Sequence, residues 1–128
     1  MTETHLAYRA LALQVACHAV NKCPDRAAAR ARMASSIERI ARHVRAAKGF
    51  LGPDVRLVVL PEYFLTGYPL GESIPEWADK AALAPEGPEY AALARVAQDN
   101  DVFLSGNAYE TDAAFPGLYF QASFVIDP

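Results

Sequence analysis

Residues 55–60 read VRLVVL, five aliphatic side chains in six, with Gly52-Pro53 before them and Pro61 after. A short, continuous β-branched and aliphatic run bounded by turn residues is what an interior strand of a parallel sheet shows. Parallel neighbours need a crossover connection, and the sequence ahead supplies one. From Ala27 onward Ala29, Met33, Ile37, Ile40 and Val44 recur at steps of three and four, which lines them along one face of a helix and leaves the arginines on the other. Gly49 and Gly52-Pro53 are expected to end that helix. Before it, Leu6–Val15 (LAYRALALQV) reads as a first strand whose low polarity implies burial on both faces, and Asn21–Asp25, with Pro24, as the break between the two. Strand, helix, strand is a βαβ unit.

The Pro- and Gly-rich segment 66–88 should be mostly loop, with a short helical turn near Pro75–Leu83; a loop of this length in a compact domain usually serves function. Pro88 suits the first turn of a second main helix, with Glu89 well placed for its dipole and Tyr90, Leu93, Ala94 and Ala97 as its buried stripe, up to Asn100. Val102–Ser105 reads as a third strand followed by a turn at Gly106-Asn107. Leu118–Ile126 alternates as a fourth strand does, with Phe120, Ala122, Phe124 and Ile126 on one side and Tyr119, Gln121, Ser123 and Val125 on the other. Asp127-Pro128 is a pair that normally begins a turn. With 128 residues, 52% of them hydrophobic and 21% charged, the chain can build one α/β domain of about four strands and two main helices, and it is too apolar to be disordered.

Residues 1–53 hold nine Lys or Arg against three acids, and residues 54–128 three against twelve. Such asymmetry can mark a nucleic-acid surface. Seven of the basic residues (Arg26, Arg30, Arg32, Arg39, Arg42, Arg45 and Lys48), however, fall on one helix with no aromatics between them for bases to stack on. A solvated face, or one turned to an acidic partner surface, is the expected use. No apolar run approaches the roughly 20 residues of a membrane helix, and the first twenty residues lack the basic start and unbroken apolar stretch of a signal peptide. The chain is expected to be soluble and cytoplasmic, with neither nucleic acid nor membrane as partner. Cys17 and Cys23 make neither a disulfide scaffold nor a zinc site, and no histidine or carboxylate follows His43 by three or four residues. The cysteines read as reduced thiols and no metal is expected.

In open α/β sheets the working residues collect just beyond the carboxyl ends of the strands, where loops converge on a crevice. Pro61-Glu62 stands there, after VRLVVL. A carboxylate set against Leu60, Tyr63 and Phe64 would lose part of its hydration, which raises its pKa and suits it to accept a proton near neutral pH. On position alone an ordinary exposed loop glutamate competes equally with that reading.

The surrounding string, LVVLPEYFLTGYPLG at 57–71, resembles the first catalytic block of the carbon-nitrogen hydrolase (nitrilase) superfamily. LALQV, AAKG, EGPEYAALARVAQDNDVFLSGNAYE and YFQASFVIDP resemble that family's N-terminal half, in the family's order. The resemblance implies a partial αββα sandwich of the nitrilase type. It implies cleavage or formation of carbon-nitrogen bonds in nitriles, amides and related acyl compounds by a glutamate, a lysine and a cysteine. The cysteine sulfur attacks carbon, the glutamate is the general base, and the lysine stabilises charge on the tetrahedral intermediate. Glu62 matches the glutamate, and Tyr63 beside it would line the substrate pocket or pack. The family's lysine and cysteine follow an Asp-Pro-type turn, and Lys22, Lys48, Lys80, Cys17 and Cys23 match neither. Residues 1–128 are therefore expected to be the N-terminal part of a carbon-nitrogen hydrolase domain, truncated before those two groups and inactive alone. The complete protein would act on a small amide or nitrile, use no cofactor, and form a homo-oligomer.

Two other readings compete. A non-catalytic half-domain that pairs with another chain should have replaced the apolar residues of its open sheet face, yet Phe120, Phe124 and Ile126 remain. A small nucleotide-binding domain would need a phosphate loop, and neither Gly67 nor Gly71 is followed by the required Lys and Ser or Thr. Cys17-His18 suggests a dyad only until one notes that adjacent strand residues point to opposite faces.

Overall fold

The computed structural model describes residues 6–128. Residues 1–5, part of the stretch read as lacking a signal peptide, lie outside the described residues. The elements are β1 (Arg9–Ala12), α1 (Arg26–Leu51), β2 (Val55–Val59), α2 (Ile74–Ala81), α3 (Pro88–Asn100), β3 (Phe103–Glu110) and β4 (Phe120–Ile126). They form a four-stranded sheet in the order β1-β2-β3-β4, parallel between β1, β2 and β3 and antiparallel between β3 and β4. VRLVVL is the interior parallel strand its composition requires.

α1 begins at Asp25, whose carboxylate accepts the Ala28 N–H at 2.8 Å, and buries Ala29, Met33, Ile37, Ile40 and Val44 together with Ser36. It runs through Gly49 and stops at Gly52, whose φ of +121° is closed to a side chain. α1 packs beside α3, and together they cover one face of the sheet in a core that includes Val58, Phe64, Leu93, Ala97 and Leu104. The basic face of α1 is not simply solvated. Arg26 pairs with Asp79, Arg30 with Glu89, and Arg32, Arg39 and Lys48 donate to the carbonyls of Ala19, Ala16 and Asn100. The long side chains staple the helix to the loops around it. α2 fills the position of the expected helical turn and opens with a capping box between Ser73 and Glu76. No helix among the described residues is long and apolar enough to cross a membrane.

Three expectations are corrected. β1 is four residues long and lies at the sheet edge with most of its side chains exposed, so its apolar character does not mean burial on two faces. β3 does not turn at Gly106-Asn107 but runs straight through to Glu110. Gly106 is there for close approach: a Cβ on it would meet Phe124 Cζ at 2.8 Å and Phe64 Cε1 at 3.1 Å.

The faces of β4 also differ from the expectation, although Phe120 is exposed, beside Phe115. Phe124 packs edge-on to Tyr90 of α3 and to Phe64, and Ile126 joins the same core, so their side of the strand is the one covered by helices. The open face is the other one. Register places Leu57 and Val59 of β2, Phe103 of β3 and Val125 of β4 on it, with Val59 40%, Phe103 41% and Val125 66% exposed.

Candidate active site

The ladder between β2 and β3 ends where Leu60 N–H donates to the Ser105 carbonyl at 2.8 Å. Pro61 has no N–H to continue it. Further along β3, the Tyr109 carbonyl accepts the Leu83 N–H at 2.7 Å, from the chain that follows α2. The stretch of β3 between those two bonds contains Asn107, and there the chain leaving β2 turns. Asn107 Oδ1 accepts the Tyr63 N–H at 3.0 Å, replacing the backbone partner that the ladder no longer offers.

Tyr63 is left-handed, with φ +56°, a conformation costing a bulky L-residue about 1 kcal/mol or more unless its surroundings enforce it. They do so from both sides of the residue. Asn107 holds the N–H, while the carbonyl accepts the Gly67 N–H at 3.1 Å and the Cys17 thiol at 3.0 Å. Beyond Tyr63 the chain dives inward, and Phe64, Leu65, Thr66 and Gly67 are buried. Gly67, at φ +73°, lies so close to Ala19 that a Cβ would meet the alanine methyl at 2.8 Å.

This turn leaves Glu62 on the open face of the sheet. Its carboxylate is exposed, against the expectation of a partly desolvated one, because Leu60 and Phe64 both point into the core and away from it. What orients it is a hydrogen bond: Gln121 Nε2 of β4 donates to Glu62 Oε1 at 3.0 Å. Gln121 stands opposite Tyr109 and Asn107 opposite Ser123, so both amides project on the same side of the hairpin, two residues apart along the ladder.

Beside the carboxylate lies an aromatic wall. Tyr63 stacks on Tyr109 at 5.9 Å and sits 5.5 Å from Tyr68, and Tyr109 meets Tyr119 and the fully buried Trp77 edge-on at 5.3 and 5.7 Å. Burial first, then Tyr63, Tyr119 and the Glu62 carboxylate, push the Tyr109 phenol above its ordinary range, so it stays neutral.

Of the residues singled out in the sequence, Glu62 and Tyr63 come together at this point. Cys17 and His18 do not form a dyad. They lie in the loop between β1 and α1, where the thiol turns to the Tyr63 carbonyl and His18 Nδ1 accepts from Arg39 at 3.1 Å. Burial pushes the Cys17 thiol up despite opposing help from the Gly67 backbone and Arg39, which makes it a poorer nucleophile. Among the described residues no lysine or cysteine side chain hydrogen-bonds Glu62. The sequence reading missed Asn107 and Gln121. The glycine inside a strand-like run, VFLSGN, and the one long polar side chain in LYFQASFVI were the available signals. By itself the arrangement offers one oriented proton acceptor at the mouth of an aromatic surface.

The family model described as carbon-nitrogen hydrolase matches residues 8–128. No curated protein matches. Among solved structures 27 chains match. One is the crystal structure of Saccharomyces cerevisiae Nit3, a member of branch 10 of the nitrilase superfamily, with a TM-score of 0.60, 23% identity and 75% of this chain covered. The present chain spans 35% of that chain's length, and at this identity the likeness establishes the αβ fold.

Proposed function

The chain belongs to the carbon-nitrogen hydrolase family, and from that premise we propose that Glu62 is the general base of an enzyme that hydrolyses a small amide or nitrile. The observation that carries this reading is the placement of Glu62: just past the carboxyl end of an interior parallel strand, on the open sheet face, oriented by Gln121. The lysine and the cysteine of the proposed mechanism would come from outside residues 1–128. In that mechanism the cysteine sulfur forms a bond to the substrate carbon as its proton passes to Glu62. For an amide, the carbon-nitrogen bond then breaks, the nitrogen leaves with that proton, and a thioester remains. Water attacks the thioester as Glu62 accepts its proton, the carbon-sulfur bond breaks to release the carboxylic acid, and the proton held by Glu62 returns to the departing sulfur. The lysine stabilises the negative charge that develops at each tetrahedral stage.

Tyr63, stacked on Tyr109, supplies one wall for the substrate in this scheme. The test is ammonia release from a panel of small amides and nitriles by the complete protein, with mass spectrometry to trap the acyl-enzyme. Turnover with a thioester adduct supports the proposal, and turnover of no carbon-nitrogen substrate contradicts it.

A further inference from the structure

We infer that Asn107 and Gln121 are positioning residues: the β3–β4 hairpin uses these two amides to set where the Glu62 carboxylate stands. The inference rests on the reading of Glu62 as the base. Glu62 follows a proline, in a turn that has left the β-ladder, and its side chain is exposed. Such a carboxylate would ordinarily sample several rotamers, whereas a base has to present one oxygen to one proton. Two restraints narrow that freedom. Gln121 Nε2 fixes Oε1 at 3.0 Å and leaves Oε2 without a bond from any described residue. Asn107 Oδ1 fixes the next peptide, through the Tyr63 N–H at 3.0 Å, in a left-handed conformation that only glycine adopts freely.

Both restraints come from one rigid unit. Asn107 and Gln121 lie on adjacent antiparallel strands whose register is regular from Leu104↔Ile126 to Glu110↔Phe120. The carboxylate is thereby referenced to the sheet rather than to its own loop. A hydrogen bond from a neutral amide to a carboxylate is among the stronger kinds, and a small misplacement of a catalytic group can cost as much as about a hundredfold in rate.

The experiment uses the complete protein with Gln121→Met, Asn107→Leu and Asn107→Asp, each alone, and Gln121→Met also combined with Glu62→Gln. Gln121→Met should lower kcat roughly tenfold with KM nearly unchanged, and should cost nothing further in the Glu62→Gln background, because Gln121 acts only through that carboxylate. Asn107→Leu should lower kcat roughly ten- to a hundredfold and unprotect the Tyr63 amide in hydrogen exchange. Asn107→Asp, which keeps the acceptor, should restore protection and much of the rate; this distinguishes positioning from a general loss of fold. An equal loss from Gln121→Met with and without the Glu62 carboxylate would overturn the inference, as would full activity or a still-protected Tyr63 amide in Asn107→Leu. If Glu62→Gln is slow while the hairpin variants run at the normal rate, positioning alone has failed; if Glu62→Gln itself runs at the normal rate, the functional reading has failed and the positioning role falls with it.

Discussion

Phe124 Cζ stands 2.8 Å from the point where a side chain on Gly106 would begin. The phenyl ring cannot retreat, because Tyr90 meets it edge-on at 5.4 Å and Phe64 at 6.3 Å. Gly106→Ala should therefore overpack this contact and destabilise the protein by roughly 1–3 kcal/mol, although alanine suits a strand better than glycine. Chemical denaturation checks this. Adding Phe124→Leu should recover part of the loss, and an alanine variant as stable as the parent would mean that the ring moves freely.

The two sides of β4 should respond oppositely to the same change. Val125 is exposed on the open face, whereas Phe124, one residue earlier, faces the helices. Val125→Lys should change stability by no more than about 0.5 kcal/mol and reduce hydrophobic-dye binding by the 128-residue chain. Phe124→Lys should cost about 2–3 kcal/mol, somewhat less than removal of a fully buried phenylalanine. The reverse ranking in melting experiments would mean that the faces are misassigned.

Alkaline pH should expose the two perturbed phenols. Burial is the leading cause that pushes Tyr90 and Tyr109 above the ordinary tyrosine range, with Glu110 assisting at Tyr90 and the neighbouring tyrosines and Glu62 at Tyr109. A proton held more tightly in the folded state than in the unfolded one stabilises the fold fully below the unfolded pKa of about 10, and that contribution is lost as pH climbs toward the folded values. The melting temperature should fall above about pH 10. Tyrosinate absorbance gives the direct check: replacing both residues by Phe should leave the ordinary-range ionisation step of the folded protein unchanged. A smaller step would show that these phenols ionise normally.

Arg30 and Glu89 join α1 to the first turn of α3 at 3.3 Å, with the arginine also donating to the Ala82 carbonyl at 2.6 Å. Both side chains are mostly buried, at 20% and 8% exposure, so removing one leaves the other with an uncompensated desolvation. Glu89→Ala should destabilise by roughly 1–3 kcal/mol. Arg30→Met/Glu89→Leu together should cost less than Glu89→Ala alone, a comparison that a double-mutant denaturation series makes directly.

Local pattern made much of this molecule legible. The steps between Ala29 and Val44 named the buried face of α1, and VRLVVL named the interior strand, although only one face of that strand is covered and Val59 stands on the open one. Gly106-Asn107 misled because the same dipeptide serves a turn or a close approach within a strand, and only the partner ring of Phe124 decides which. The apolar run around β1 misled for a related reason, since composition does not reveal which strand lies at an edge. At the candidate site, Glu62 was singled out by its place after a strand only together with the resemblance of the string around it. Its partners were not: Gln121 lies 59 residues away and Asn107 lies 44 residues from Tyr63, and such pairings arise from sheet register, which no local window contains.

The most direct test of the account is the Glu62→Gln variant of the complete protein, with kcat and melting temperature measured together. The amide keeps the shape of the side chain and can still meet Gln121, but it cannot accept a proton. An exposed carboxylate contributes little to the fold, so the melting temperature should hold. The catalytic rate should fall by roughly 10²- to 10⁴-fold, the usual contribution of a positioned acid-base group. A variant that melts like the parent and works within a few fold of its rate would contradict the assignment of Glu62 as the base.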